Sequence, residues 1–322
     1  MPEGTFIRDD DKALLLVAAT VDARQVFQLP TGEAAVLDDD TSVASSTYTD
    51  QFRTRGKFTI EKTTSMVLLA GQEVYWDHSA NKAHYKRVND RDFYLGVAIE
   101  DASSGALTVN VDLNKRPKFL IDCLRNGCLT AIVGTQGLNT MGVFDRGGSK
   151  KFILSATNEA QKLDMLSVDG FAPGAKCIVE GIFRVVSDGA GTVVDVSLGV
   201  ASATHATDAS LIAERLFVHL DANVLDIRAE SSDGTTTVAI TDTTIDYTEG
   251  SAVANRVHVL YDLRNLNDIQ VYVNGALALD ATVFRLNAAV GPLFLLAHVE
   301  KTISTDTYEL DLDALRCWSA EQ

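Results

Sequence analysis

Asp268-Ile269-Gln270-Val271-Tyr272-Val273-Asn274-Gly275-Ala276-Leu277-Ala278-Leu279 decides the fold class. Ile269, Val271 and Val273 alternate with polar or amphipathic neighbours up to Asn274-Gly275, and Ala276 to Leu279 leads away. Asn-Gly between two alternating runs marks a two-residue hairpin, because both residues tolerate positive φ. The same period of two recurs on either side. In Asn223 to Glu230, Leu225, Ile227 and Ala229 point one way while Asp226, Arg228 and Glu230 point the other; Arg256 to Leu263 repeats it with Val257, Val259 and Tyr261. Lys176–Ser187, Thr192–Val200, Glu214–Asp221, Thr235–Thr241, Gly291–Glu300 and Thr307–Cys317 are further strands. Helical periodicity is almost absent. Short strands with turn signals about every ten residues predict an all-β chain whose C-terminal part, residues 150–322, is an antiparallel, jelly-roll-like sandwich.

Upstream the texture changes. Residues 1–56 hold a short alternating start and then polar stretches at Asp38-Asp39-Asp40 and Ser45-Ser46-Thr47, which predicts an extended arm. Phe58 to Leu113 reads as a small β domain, with strands at Met66–Leu69, Glu73–Trp76, Phe93–Ile99 and Ala106–Leu113, closed by Pro117. Residues 1–116 thus form one domain. Residues 117–149 form a connector: a hairpin turn at Arg125-Asn126-Gly127 that sets Cys123 and Cys128 face to face, then the glycine-rich Gly134–Ser149.

Composition narrows the function. The net charge of −16, shared as −5 over residues 1–116 and −11 over the rest, repels phosphate backbones and argues against nucleic acid. The apolar run Ala13–Ala19 is far short of the ~20 residues that cross a bilayer and follows three aspartates, where a secretory signal carries positive charge. No membrane partner is expected, and the chain is expected to fold in a cytoplasm. Four scattered cysteines (Cys123, Cys128, Cys177, Cys317) read as reduced thiols.

Catalytic signals are weak. Glu309, Asp311 and Asp313 share one strand face, as paired carboxylates of sandwich-fold glycoside hydrolases do. The spacing departs from the Glu-x-Asp-x-x-Glu of those enzymes, so the three read instead as the charged outer face of an edge or closing strand. The histidines are dispersed, with no ligand spacing; His219 and His258 read as surface or interface residues. No phosphate-binding loop, dinucleotide fingerprint or nucleophile elbow occurs, and Asp38-Asp39-Asp40-Thr41 lacks the alternation of a calcium loop. No catalytic residue, cofactor or metal is expected. Tyr75 and Trp76 are neighbours on one strand, so a regular strand turns one of them outward.

Three stretches carry a family resemblance. Val67-Leu68-Leu69-Ala70-Gly71-Gln72-Glu73-Val74-Tyr75-Trp76-Asp77, Tyr94-Leu95-Gly96-Val97-Ala98-Ile99-Glu100-Asp101-Ala102 and Ser103-Ser104-Gly105-Ala106-Leu107-Thr108-Val109-Asn110-Val111 resemble the small capsid cement proteins of tailed phages. The resemblance covers about residues 1–116. It implies a structural virion protein on the outer capsid surface: a homotrimer at local three-fold axes that ties major capsid proteins together, with Phe6, Phe27, Tyr75 and Trp76 as candidate capsid contacts. Val271-Tyr272-Val273-Asn274-Gly275 and Leu310-Asp311-Leu312-Asp313-Ala314-Leu315-Arg316 are similar to concanavalin-like (laminin-G-like) sandwiches appended to virion proteins. Such sandwiches host lectins as well as spacers. The alternative function is therefore a carbohydrate-binding module, or a fibre or tail component, that attaches to host glycans through Asp233, in the loop Ser231-Ser232-Asp233-Gly234, and Trp318.

Overall fold

The computed structural model describes residues 12–16, 20–38, 41–125, 127–135, 141–142, 149–189, 193–221 and 224–319, and the regular elements among these are antiparallel strands apart from two short 3-10 turns. The chain divides into two compact units, Met1–Pro117 and Lys118–Gln322.

The first unit holds β1 (Lys12–Leu16), β2 (Val26–Gln28), β3 (Ala34–Leu37), β4 (Tyr48–Arg53), β5 (Lys57–Glu61), β6 (Glu73–Asp77), β7 (Lys82–His84), β8 (Phe93–Ala98) and β9 (Thr108–Leu113). The first four form one sheet in the order β1-β4-β3-β2, and the rest a second in the order β5-β9-β8-β6-β7. The described part of the expected arm is therefore sheet. Ser45-Ser46 is a turn, Asp39 and Asp40 lie outside the described residues, and the buried run Ala34–Leu37, with Phe52 packed edge-on against Phe27 at 4.4 Å, gives it a core. Asn114, with φ of +55°, links the first sheet to its surroundings: its amide donates to the carbonyls of Ala34 (2.8 Å) and Thr54 (2.7 Å) and accepts from Ala34 N (3.0 Å). Met66–Leu69 forms no strand; Leu68 makes only a bridge to Ala102.

The second unit holds β10 (Ile121–Asp122), β11 (Cys128–Val133), β12 (Met141–Gly142), β13 (Ser149–Leu154), β14 (Glu159–Ser167), β15 (Cys177–Ser187), β16 (Val194–Ala201), β17 (Glu214–Asp221), β18 (Asp226–Asp233), β19 (Thr237–Asp246), β20 (Val257–Asp262), β21 (Gln270–Val273), β22 (Ala276–Ala278), β23 (Phe294–Ser304) and β24 (Tyr308–Ser319). They make two sheets. One runs β12-β13-β24-β15-β20-β21-β22, with β10 added alongside β24; the other runs β11-β14-β23-β16-β17-β18-β19. Alternate residues from both fill a single core, among them Phe152, Val179, Phe183, Leu198, Val218, Tyr261 and Leu312. The hairpin forms as its sequence demands: Asn274 and Gly275 take φ of +50° and +80°, and Val273 pairs Ala276.

Two expectations need revision. β10 and β11 do not pair as the expected hairpin, for β10 pairs β24 in one sheet and β11 pairs β14 in the other; Asn126 between them lies outside the described residues. The chain crosses between the sheets there, so residues 121–133 belong to the sandwich rather than to a connector. Residues 136–140 and 143–148 of the glycine-rich stretch lie outside the described residues. Second, β24 is no edge: it lies between β13 and β15, near the middle of its sheet.

Tyr261 ties the sheets together. It projects from β20 through the core, and its hydroxyl enters the opposite sheet between β16 and β17, accepting from Val218 N (3.0 Å) and donating to the Leu198 carbonyl (2.5 Å). Gly199 lies beside it with φ of +152°. A Cβ there would stand 2.2 Å from the Leu216 carbonyl oxygen and 3.2 Å from the phenol oxygen. Removing the hydroxyl strands a buried donor and a buried acceptor, each worth about 1–3 kcal/mol when unsatisfied. Tyr261→Phe is expected to lower stability by about 2 kcal/mol or more in urea unfolding with no change of slope; unchanged stability would mean that the strands close over the gap.

Candidate functional site

In the first unit, Tyr75 and Trp76 leave β6 in opposite directions. Trp76 is 7% exposed and belongs to the core with Phe93, Leu95 and Val111. Tyr75 is half-buried on the other face, where its hydroxyl donates to Glu73 Oε2 (2.8 Å) and its ring meets Tyr94 edge-on at 5.8 Å. Of the candidate contacts, Tyr75 and the half-buried Phe27 reach the surface, Trp76 is chiefly a packing residue, and Phe6 lies outside the described residues. Trp76 also walls a cleft of 660 Å³ formed with Val26, Val36, Lys57 and Phe58. Tyr48, a surface aromatic of β4, is 69% exposed.

In the second unit both glycan candidates are enclosed. Trp318 is 1% exposed and packs against Phe119, with ring centroids 6.2 Å apart. Asp233 is a turn residue: its carboxylate accepts from the backbone of Thr235 (2.9 Å), Thr236 (2.7 Å) and Ala288 (3.4 Å). Burial works to raise its pKa, and these bonds outweigh burial and hold the carboxyl below the usual range. Neither supplies an exposed platform or a free acceptor.

Glu309, Asp311 and Asp313 do share one face of β24, and each is taken up by a cation. Lys151 bonds Glu309 and lies 3.7 Å from Asp311; Arg184 reaches Asp311 at 3.1 Å and Asp313 at 3.6 Å; Arg256 bonds Asp313 at 2.6 Å. The Arg184 guanidinium, fully buried, also donates to the Ser251 carbonyl (2.7 Å). Further along the same face Glu180 joins His258 (2.6 Å) and Arg316. Burial alone would raise Glu180, but Arg316 and His258 hold it at about 2.

The second face of the other sheet carries a comparable row. Across β14, β23, β16 and β17, the register aligns Asp164, His298, Ser197 and His219. His298 Nδ1 meets Asp164 at 2.5 Å and its Nε2 lies 3.4 Å from Glu300; Lys162 also pairs Asp164 at 2.9 Å. His219 Nδ1 lies 3.0 Å from Ser197 Oγ and its Nε2 2.9 Å from Glu230, which Arg215 grips through Nε and Nη2. Burial opposes protonation of both imidazoles. The carboxylates prevail, Asp195 and Glu230 for His219 and Asp164 and Glu300 for His298, and raise each to about 9. Ser197, His219 and Glu230 stand in the order of nucleophile, base and orienting acid. All three are buried, and an imidazole that keeps its proton to about pH 9 does not accept one from a hydroxyl. Alternation puts His219 and His258 on the faces away from the core, as surface or interface residues; both are 1% exposed, enclosed by partners such as Glu230 for His219 and Glu180 for His258. Nothing local in the sequence marks these partners, which come from strands far apart in the chain. Among the described residues, Asp195, Asp208 and Glu300 bring carboxylate oxygens within 4.8 Å of one another, and Asp208 also caps the turn at Ser210.

Among the described residues no helix is long and apolar enough to cross a membrane. Residues 16–113 match the family described as phage cement protein, so the resemblance carried by the three quoted stretches is borne out over that span. No curated protein matches the chain. Solved structures similar to it include the carbohydrate recognition domain of Emp47p (15% identity, TM-score 0.42, covering 62% of this chain and 94% of that one). The alginate lyase AlgAT5 of polysaccharide lyase family 7 is similar at 16% identity and a TM-score of 0.39, covering 57% and 84%.

The two rows give two expected outcomes. Asp311→Asn leaves Arg184 buried with its closest counter-charge gone and is expected to cost about 3 kcal/mol in urea unfolding. His219 and His298 have folded pKa values above the free value of about 6.5, so the stability they contribute is complete below pH 6.5 and drains away as pH rises through about 9. The expected loss between pH 6 and 9.5 is roughly 2–3 kcal/mol for each, and replacing both with Gln should flatten the profile there.

Proposed function

We propose that this chain is a non-catalytic virion protein that decorates and stabilises the outer capsid surface of a tailed phage, gripping the major capsid protein through residues 1–117 as a homotrimer and leaving the sandwich free to face solution. The observation that carries this is the match of residues 16–113 to the phage cement family, a span that coincides with the unit holding its own two sheets and cores. Phe27, Tyr75 and the exposed Tyr48 supply aromatic anchors on the two sheets of that unit. A closed cyclic trimer would present each anchor three times, matching a three-fold capsid position. Stabilisation then follows from mass action: a protein that binds the assembled lattice better than its free subunits favours the lattice by that difference in affinity. The ion pairs that occupy Glu309, Asp311 and Asp313 support a sandwich without hydrolytic chemistry.

Full-length protein is expected to sediment saturably with capsids that lack it, to raise their heat resistance, and to run as a trimer in light scattering. Fragment 1–117 should compete for the same sites and fragment 118–322 should not, with circular dichroism confirming that each is folded. Phe27→Ala and Tyr75→Ala should each weaken binding about tenfold. Saturable capsid binding by residues 118–322 with none by residues 1–117 would reverse the assignment.

A further inference from the structure

All four cysteines of the chain gather in one corner of the sandwich. Cys317 on β24 faces Ile121 of β10 on one side and Val179 of β15 on the other, with Cys177 a pair further along β15. Cys123 continues from β10, its backbone donating to the Leu315 carbonyl (3.0 Å). Cys128 opens β11 in the opposite sheet, across from Ser167. The crossover from one sheet to the other is thus spanned by Cys123 and Cys128. Cys128 Sγ donates to the Cys123 carbonyl oxygen at 2.7 Å, which places the two thiols close enough for each to perturb the acidity of the other.

The four differ in access, and Cys123, Cys128 and Cys177 are shifted in acidity. Cys123, Cys177 and Cys317 are buried; Cys128 is half-buried. Contact with Cys128, together with burial, pushes the Cys123 thiol well up. Contact with Cys123 works the other way for Cys128 and, with the charge of Lys150, outweighs its partial burial, so its pKa falls below the ordinary thiol value. Cys177 is raised by its contact with Cys317 and by burial. The reachable thiol is therefore also one shifted toward the thiolate, and a second thiol, held protonated, lies beside it.

We infer that Cys128 and Cys123 form a peroxide-oxidised thiol pair that closes to a disulfide across the crossover between the two sheets. The Cys128 thiolate attacks a peroxide oxygen: an S–O bond forms, the O–O bond breaks, and hydroxide leaves to be protonated to water. The sulfur, oxidised by two electrons, is now a sulfenic acid. Cys123 attacks it, the S–S bond forms, the S–O bond breaks, and the departing hydroxide takes the Cys123 proton as a second water. Hydrogen peroxide is the oxidant, and the sum is two thiols and one peroxide to one disulfide and two waters. The bond would close a short loop that joins a strand of each sheet.

Trypsin cuts between the pair at Arg125, so peptides 119–125 and 126–146 reveal the bond. Native full-length protein treated with hydrogen peroxide and then alkylated should yield these two peptides joined, and separate only after reduction, with Cys177 and Cys317 still alkylated. The oxidised protein should melt about 4–8 °C above the reduced one. Cys123→Ser should leave a sulfenic acid on Cys128 that dimedone traps, whereas Cys128→Ser should leave every remaining thiol reduced. Unlinked peptides with both thiols alkylated after treatment, or a first bond between Cys177 and Cys317, would overturn the assignment.

Discussion

The Arg184 guanidinium is fully enclosed, and its charge has to be met where it lies. Asp311 and Asp313 meet it, and those two carboxylates in turn fix Lys151 and Arg256 around them. Against a well-packed apolar face, such pairs add little stability, because desolvating both partners takes back most of the attraction. Their effect is on register. A slip of β24 by one residue would carry Asp311 and Asp313 into the core and Leu310 and Leu312 out of it, and would leave Arg184 alone. The same holds on the opposite sheet, where Asp164, Glu230 and Glu300 must face the two imidazoles that they keep protonated. Each sheet is thereby aligned by apolar residues on one face and by charge on the other.

That second constraint also separates what was legible in the sequence from what was not. Strand positions follow from alternation, and Glu214–Asp221 and the Asn274-Gly275 hairpin fall where the period of two places them. Alternation assumes that the non-core face meets water. At particular positions neighbouring side chains enclose it, so His219, beside Glu230, His258, beside Glu180, and Trp318, beside Phe119, take positions that look like surface and are buried. Partners such as Asp164 and His298 are 134 residues apart and share no local pattern. The polar texture of residues 1–56 misled for the opposite reason. Its strands are three to six residues long, so turns dominate the composition although the short runs still pair. Phe27 owes its position to Phe52, 25 residues on, and no periodicity reports such a contact.

In the first unit, the division between what packs and what is presented is drawn within single strands. Trp76 fills the core while its neighbour Tyr75 keeps its ring half outside, held by Glu73 and Tyr94. An aromatic braced in this way has already lost most of its rotamer freedom before any partner arrives, which lowers the entropic cost of using it as an anchor. The family match falls on these strands, and the net negative charge is spread over both units.

Asn274 bears on how the protein ages. Asn-Gly pairs are the sites at which chains most readily deamidate, by attack of the following backbone nitrogen on the side-chain amide. In the hairpin this amide is held: its oxygen accepts from His258 N (3.1 Å), while the Asn274 backbone donates to the His258 carbonyl (2.7 Å). The left-handed backbone of both turn residues, fixed by the pairing of Val273 with Ala276, restrains the rotation that the attack requires. Conversion of Asn274 to an acidic or isomerised residue would therefore record how long the hairpin has spent open, making this turn a chemical clock for protein kept in storage.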